Sequence, residues 1–241
     1  MFNYFFTIAI FFALNSYQCY ARVAPDFIKI CPGQKSECLK STVQETIPIF
    51  SKGIPSLNIE PIDPLKQDKV VVELPGGFKV ELLNGTVTGF RNCIVDSVSY
   101  NDEEAEMKFH CNLTIKGKYK AKGQILIVSI NGDGDAKIKI TDVALMLKVK
   151  FEDVERDGEV YQEVKSYSLD YKNEGRVTFF LTNLFKGNPE ISKAVLSFIN
   201  ENWRQLTEEF GKPVVDELVR LVFEVVKKFF TSIPKKELFV D

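Results

Sequence analysis

A stripe of apolar residues at helical spacing runs through the last quarter of the chain and limits what the rest can fold into. Its members are Ile191, Val195, Phe198, Leu206, Phe210, Val214, Leu218, Leu221, Val225 and Phe229. Just before them, Asn188-Pro189-Glu190 offers an N-cap and a proline at the first helical position. The pattern therefore predicts one helix reaching about Thr231, with only Asn202 interrupting the stripe and a kink near Gly211 and Pro213.

A helix of this length, roughly 60 Å at about 1.5 Å per residue, must bury its stripe from end to end. The stripe is too aromatic for a coiled coil, and the chain has no second helical pattern as long. From about Lys69 to Leu181 the pattern is instead that of β-strands. The strand candidates are Val70–Val72, Phe78–Leu83, Val87–Val98, Met107–Ile115, Ile125–Ile130, Ala136–Ile140, Val143–Glu152 and Glu159–Tyr171.

Turn residues and alternation set the form of this sheet. Asn131–Asp135 is predicted to be a turn, and Asp157-Gly158 a hairpin turn. Around residues 143–151, Val, Leu and Phe side chains alternate with lysines, as in an antiparallel sheet that packs on one side only. The predicted fold is therefore α+β, with a strongly curved antiparallel sheet wrapped around one long C-terminal helix.

The region before the sheet reads as a short helix and a connector. Ser36–Phe50 carries apolar residues at helical spacing and predicts an amphipathic helix. Three prolines between Gly53 and Leu65 predict an extended connector. No linker composition divides the chain, so residues 22–241 are expected to form a single domain.

The first 21 residues have the pattern of a secretory signal peptide. No charged side chain precedes Arg22, and the apolar run Phe5–Leu14 is too short to span a bilayer. Small residues at Cys19 and Ala21 suit a cleavage site. The mature protein is therefore expected to be extracellular, without stable membrane insertion.

Cysteine spacing predicts two disulfides in that oxidising compartment. Cys31 and Cys38 close a short loop. Cys93 and Cys111 lie at equal distances from a polar stretch centred on Asp102, which places them on opposite strands if that stretch is a turn. The alternative, a metal site of four cysteines, requires pairs closer in sequence, so no metal is expected. Two sequons, at Asn84 and Asn112, are candidate glycosylation sites.

Little in the sequence supports enzyme chemistry, nucleic-acid binding or a cofactor. His110 is the one histidine, and strand alternation places it on the wet face beside Asn112, opposite Met107, Phe109 and Cys111. The net charge is −2, and the lysines alternate with acidic and apolar residues, which is typical of a solvated surface.

Several blocks of sequence, in order, resemble the insect takeout and juvenile-hormone-binding proteins. They begin with Cys31, Cys38-Leu39-Lys40 and Gly53-Ile54-Pro55, and continue to Pro61–Leu65, Gly117–Tyr119, Gly123–Leu126, Gly132–Gly134, Leu181–Phe185, Asn200–Trp203 and Glu237–Phe239. The resemblance spans the mature chain and implies an internal apolar tunnel for lipid-like ligands. The family's usual pattern has the N-terminal bridge, so the Cys93–Cys111 bridge rests on the hairpin argument.

A tunnel of this kind would be lined from both the sheet and the helix. The candidate lining residues are Met107, Phe109, Leu113, Ile115, Tyr119, Leu145, Leu147, Val195, Phe198, Leu206 and Phe210, with the Tyr119 hydroxyl free to bind a polar end of the ligand. The function predicted is a monomeric carrier of a terpenoid, such as a juvenile hormone, or of a fatty-acyl lipid. One alternative is a secreted regulator of circadian or feeding behaviour acting through a receptor. Another is a membrane-active lipid-transfer module; an exposed basic tip would favour it, and the sequence shows none.

Overall fold

The computed structural model describes residues 22–125 and 128–239. The predicted signal peptide lies outside the described residues. The helices are α1 (Ser36–Phe50), α2 (Pro189–Glu201), α3 (Trp203–Ser232) and α4 (Lys235–Leu238), and the strands are β1 (Leu65–Leu74), β2 (Phe78–Thr88), β3 (Ile94–Asn101), β4 (Glu104–Ile125), β5 (Val128–Arg156), β6 (Glu159–Asn173) and β7 (Val177–Leu181). No helix within the described residues is both long and apolar enough to cross a membrane.

The strands form one seven-stranded antiparallel sheet built on the long hairpin of β4 and β5. Its order is β1-β2-β4-β5-β6, with β3 paired to β4 and β7 paired to β5. Each long strand pairs with two shorter strands along its outer edge. β2 pairs with one half of β4 and β3 with the other half; β7 pairs with the first part of β5 and β6 with the rest. A register shift between Cys111 and Leu113 marks the change of partner on β4. The predicted antiparallel sheet with a long C-terminal helix is confirmed.

The predicted turn at Asn131–Asp135 is wrong, because these residues lie inside β5 and pair with Lys118–Lys122 of β4. The glycines in this segment allow another part of the backbone to approach closely; they do not form a turn. A β-carbon on Gly134 would lie 2.4 Å from the carbonyl oxygen of Thr182, and one on Gly132 would lie 2.7 Å from that of Asn183. Glycine lets the chain after β7 cross the strand at this point.

A second departure concerns the predicted strand Val87–Val98. A 3₁₀ turn at Phe90–Asn92, preceded by Gly89 with φ 118°, separates β2 from β3. The buried carboxylate of Asp63 holds this turn, accepting hydrogen bonds from the backbone N–H groups of Gly89 at 3.1 Å and Arg91 at 2.9 Å. The Arg91 guanidinium also pairs with Asp63. The connector is thereby fixed to the sheet.

The C-terminal stripe forms two helices instead of one, and the break lies at Asn202 (φ −100°, ψ 22°) rather than at Gly211 and Pro213, through which α3 continues. Asn200 holds α2 against the sheet. Its side-chain amide donates to the carbonyl oxygen of Phe179 at 2.9 Å and its Oδ1 accepts from the Phe179 N–H at 2.8 Å. These two bonds join α2 to β7. The predicted N-cap at Asn188 is confirmed by its bond to the N–H of Ile191.

Both predicted disulfides are present. Cys31–Cys38 closes the loop before α1, and Cys93–Cys111 joins the start of β3 to β4. The predicted helix Ser36–Phe50 is also confirmed. It lies against β3, where Gln44 accepts from the N–H of Val95 at 2.7 Å and donates to the carbonyl oxygen of Cys93 at 3.1 Å.

Candidate ligand-binding interior

Helix α3 has a charged outer face and an apolar inner face. Its outer face is marked by exposed residues at four-residue intervals, namely Lys212, Asp216, Arg220, Glu224 and Lys228. Leu218 and Val222 each lie two residues from Arg220 and so point about 160° away from it around the helix. These two side chains are therefore directed at the centre of the space between helix and sheet.

The helix meets the sheet mainly at its edges. Contacts of α3 are made chiefly with β6 and β1, the two ends of the strand order, and with β7. A curved sheet whose two edges meet the same helix keeps the backbones of its middle strands at a distance from that helix, so that side chains fill the space between them. The helix thus closes the open side of the sheet.

Densely packed apolar clusters close both ends of the space between α3 and the sheet. At one end, Tyr119 and Ile130 of the sheet pack with Leu206 and Phe210 of α3. At the other end, the cluster of Leu147, Val149, Phe151 and Phe223 continues into that of Phe229 and Ile233. Aromatic contacts strengthen the second end, with ring centroids of Phe151 and Phe230 4.9 Å apart and those of Phe50 and Phe229 5.5 Å apart.

The middle is less densely packed. The cluster around the Cys93–Cys111 bridge comes from the sheet and its turns and includes no residue of α3. Leu218 and Val222 pack against a neighbouring cluster formed by Leu65, Val87 and Ile115, yet both remain partly accessible although they point inward. A fully packed core would bury these central positions at least as deeply as Phe223, which is 3% exposed. The apolar interior is therefore less deeply buried at its centre than at its two ends.

Ten of the eleven predicted lining residues lie in these clusters. Tyr119, Val195, Leu206 and Phe210 are at the first end, Met107 and Leu147 at the second, and Phe109, Leu113, Leu145 and Ile115 around the middle. Phe198 is the exception: it is partly buried and, within the described chain, belongs to no cluster. Val195 and Ile199, four residues apart and both buried, define the inner face of α2, and Phe198 lies about 100° around the helix from Ile199.

The role predicted for the Tyr119 hydroxyl also differs from the structure. It donates to the carbonyl oxygen of Thr182 at 2.7 Å, so its proton is not free for a ligand. Burial, together with the charge of Asp133, raises the pKa of Tyr119 to about 12. Tyr119 thus ties β4 to the segment after β7.

Sequence reasoning missed several residues of the middle region, among them Leu218, Val222, Ile140 and Tyr171. Leu218 was visible as a member of the helical stripe. Tyr171 was not, because its position depends on where β6 meets α3: its hydroxyl donates to the carbonyl oxygen of Thr207 at 3.2 Å.

His110 lies on the outer face of the sheet, as its alternation with Met107 and Phe109 predicted, but it has partners that are distant in sequence. Its Nδ1 lies 2.6 Å from Asp96 and its Nε2 lies 3.3 Å from Glu174. Burial lowers the pKa of His110, but the hydrogen bonds to Glu174 and Asp96 outweigh it and raise that pKa above its ordinary value. Asp142 joins the group, with ligand-type atoms of His110, Asp142 and Glu174 within 4.8 Å of one another. This network faces away from the apolar interior.

Both sequon asparagines are exposed, so glycosylation remains a prediction for each. The Oδ1 of Asn112 accepts from the N–H of Asp142 at 2.8 Å.

An open antiparallel sheet closed by one helix over an apolar interior defines the class of fold, and comparison with known proteins identifies the family. The sequence profile described as Haemolymph juvenile hormone binding protein (JHBP) matches residues 6–240. The chain belongs to this family.

Individual relatives agree with that assignment. The crystal structure of Takeout 1 from Epiphyas postvittana superposes with a TM-score of 0.84 at 33% identity, covering 89% of this chain and 100% of that one. The Circadian clock-controlled protein daywake of Drosophila melanogaster is 25% identical, covering 89% of this chain and 88% of the relative. A Schistocerca gregaria protein named "Putative beta-carotene-binding protein" is 21% identical over 83% of this chain and 82% of its own length.

Proposed function

We propose that this protein is a carrier that holds a small hydrophobic ligand between α3 and the middle of the sheet. The observation that carries the proposal is the partial accessibility of Leu218 and Val222, which point directly inward. A ligand lying between them and the cluster around the Cys93–Cys111 bridge would complete the packing that the protein alone leaves open.

The chemistry of this region selects the ligand class. Its side chains are apolar, and the hydroxyl protons of Tyr119 and Tyr171 are both donated to backbone carbonyl groups. A charged headgroup placed there would lose its hydration without gaining a partner. The proposed ligand is therefore neutral and elongated, such as a terpenoid or an acyl chain. The name of the Schistocerca relative gives a long terpenoid, beta-carotene, as the ligand of that protein, which supports this class.

The expected affinity follows from burial. About fifteen buried carbons contribute roughly 12 kcal/mol, at about 0.8 kcal/mol each. Loss of motion on binding offsets about 4–15 kcal/mol of this. The net gain is therefore at most about 8 kcal/mol, and a dissociation constant of roughly a micromolar or weaker is expected.

The test combines extraction with a matched pair of variants. Organic extraction of the purified protein followed by mass spectrometry should yield a neutral lipid. In binding assays with a neutral fluorescent probe, the methyl ester of a fluorescent fatty acid, Val222→Trp should weaken binding at least about tenfold, because the indole would occupy the proposed ligand space. Glu224→Trp, two residues along on the outer face of α3, is the control and should bind normally.

Two outcomes would contradict the carrier. One is wild-type protein that neither contains lipid nor binds the probe saturably. The other is a Val222→Trp variant that stays folded and binds the probe like wild type.

We infer in addition that the carrier is secreted and that residues 1–21 are its signal peptide. The family is named for haemolymph, and two disulfides suit an oxidising compartment. Expression of the full chain in insect cells should release protein that begins at Arg22, as read by N-terminal sequencing. Retention of the full chain in the cell would oppose this.

A further inference from the structure

The outer face of the sheet carries an unusual concentration of lysines. Residues 116, 118, 120 and 122 of β4 are all lysine and all exposed. Along the sequence they alternate with small or apolar residues, so they do not form a basic run. Because alternate residues of a strand share a face, the same alternation gathers their charges on one side of the sheet.

Neighbouring strands extend this positive surface. The register places Lys66 of β1 opposite Thr86, Thr86 opposite Lys116, Lys116 opposite Lys137, and Lys137 opposite Phe180 of β7. These five positions form one row across the sheet, with strands about 4.8 Å apart. Lys139 lies one step along β5 on the same face. We call Lys66, Lys116, Lys137, Lys139 and Phe180 the lysine patch.

Nearby carboxylates do not neutralise the patch, because they pair with other lysines. Glu81 pairs with Lys69 at 3.2 Å, and Asp135 pairs with Lys118 at 2.5 Å. Asp133 pairs with Lys186 at 2.8 Å. Within residues 22–125 and 128–239, the four lysines of the patch form no ion pair, and the protein as a whole has a net charge of −2.

An exposed aromatic ring lies at the end of the row. Phe180 is 47% exposed, and the Nζ atoms of Lys137 and Lys139 lie 5.6 and 5.9 Å from the centroid of its ring. An apolar ring among cations suits the boundary of a membrane, where rings bury in the headgroup region and lysines meet anionic lipids.

We propose that the lysine patch docks the protein peripherally on anionic membranes. The charge of the patch is complementary to phosphatidylserine-type headgroups, and Phe180 distinguishes a membrane from a purely polar polyanion as the partner. The biological role of this docking rests on the proposed carrier function, because a protein that carries a neutral lipid would exchange it at a membrane surface. The docking itself requires no ligand and is measured separately.

The experiment is cosedimentation with vesicles of phosphatidylcholine and phosphatidylserine, compared with phosphatidylcholine alone. The protein is made in insect cells, so that any glycan on Asn84, two residues from Thr86, is present. Wild type should bind only the anionic vesicles, and rising salt should release it. A Lys116→Gln, Lys137→Gln, Lys139→Gln triple variant should bind on the order of 100-fold more weakly, given the contribution of each lysine near an anionic surface.

A matched control removes three lysines elsewhere. Lys35, Lys40 and Lys52 lie on or beside α1 and also form no ion pair among the described residues. Their triple replacement by Gln makes the same change in net charge and should leave vesicle binding unchanged. Phe180→Ser should weaken binding several-fold, whereas Val160→Ser, at a position with 42% exposure, should not.

Both triple variants should bind the fluorescent probe with the affinity of the wild type. This measurement separates failure of docking from failure of the carrier function. Equal loss of vesicle binding in the two triple variants would contradict the proposed role of the lysine patch in docking. Binding to heparin without binding to anionic vesicles would show that the partner is a soluble polyanion and would contradict the proposal of membrane docking.

Discussion

The hydroxyl of Tyr171 on β6 lies so close to Gly211 of α3 that a β-carbon on Gly211 would be 2.6 Å from its oxygen. The same hydroxyl donates to the carbonyl oxygen of Thr207, one turn earlier in the helix. A glycine that the sequence suggested as a kink therefore serves as the point where one edge of the sheet meets the helix. The absence of a side chain at residue 211 admits the tyrosine.

A double-mutant cycle measures this contact. Gly211→Ala should be neutral or destabilising in the wild type, because the methyl group displaces the Tyr171 hydroxyl. In a Tyr171→Phe background the nearest remaining ring atom, Cζ, is at an ordinary 3.6 Å. There Gly211→Ala should stabilise by about 0.5–1 kcal/mol, the usual advantage of alanine over glycine in a helix. Urea unfolding of the four proteins gives the coupling energy, and an alanine effect equal in both backgrounds would refute the contact.

The Cys93–Cys111 bridge should make the larger disulfide contribution to stability. It spans 18 residues against 7 for Cys31–Cys38, and both of its cysteines are buried. Replacing Cys93 and Cys111 together by Ala should cost about 3 kcal/mol, and the same change at Cys31 and Cys38 about 2.5 kcal/mol. Thermal unfolding compares the two variants. Thiol labelling of unreduced, denatured mature protein should find no free cysteine, and a reactive thiol would contradict the pairing.

Asp63 should make the protein sensitive to acid. Burial raises the pKa of Asp63, but hydrogen bonds from Arg91 and Gly89 outweigh it and hold that pKa below its ordinary value of 3.8. A lowered pKa in the folded state gives stabilisation that is present above the unfolded pKa and is lost as pH falls through the folded pKa. Asp63→Asn should cost about 1–3 kcal/mol at neutral pH and less in acid. Asp68→Asn on β1 is the exposed control, and an equal effect of the two changes at neutral pH would oppose this role.

His110 should stabilise the fold with the opposite pH dependence. Its raised pKa means that the ion pairs with Asp96 and Glu174 contribute below the ordinary histidine pKa and are lost as pH rises through the folded pKa. Since the group is about one-third exposed, the effect should stay below about 1 kcal/mol. The melting temperature of His110→Gln should fall below that of wild type near pH 5.5 and match it near pH 8.5, about one unit or more on either side of an ordinary histidine pKa. A difference independent of pH would indicate a packing effect.

The sequence predicted local patterns well and failed where distant segments meet. The alternation around residues 143–151, the helix Ser36–Phe50 and the N-cap at Asn188 depend on near neighbours and are confirmed. The turn predicted at Asn131–Asp135 is wrong because Gly132 and Gly134 make room for the backbone of Thr182 and Asn183, about fifty residues away in the chain.

The candidate site shows the same division. Most lining residues were found from strand parity and helical phase, which need no tertiary information. Phe198 was misplaced because residues three and four places after Val195 both fit a helical stripe, and α2 turns the fourth, Ile199, inward. The lysine patch was hidden for a related reason: its members come from four strands and become neighbours only when β1, β4, β5 and β7 are in register.

The position of α3 at the end of the chain has a consequence for biosynthesis. All seven strands, from Leu65 to Leu181, leave the ribosome before the helix that covers their apolar face. During that interval the inner face of the sheet has no intramolecular cover, and such surfaces drive aggregation of incomplete chains. A premature stop between β7 and α2 would leave a full set of strands with no means of burying their apolar side.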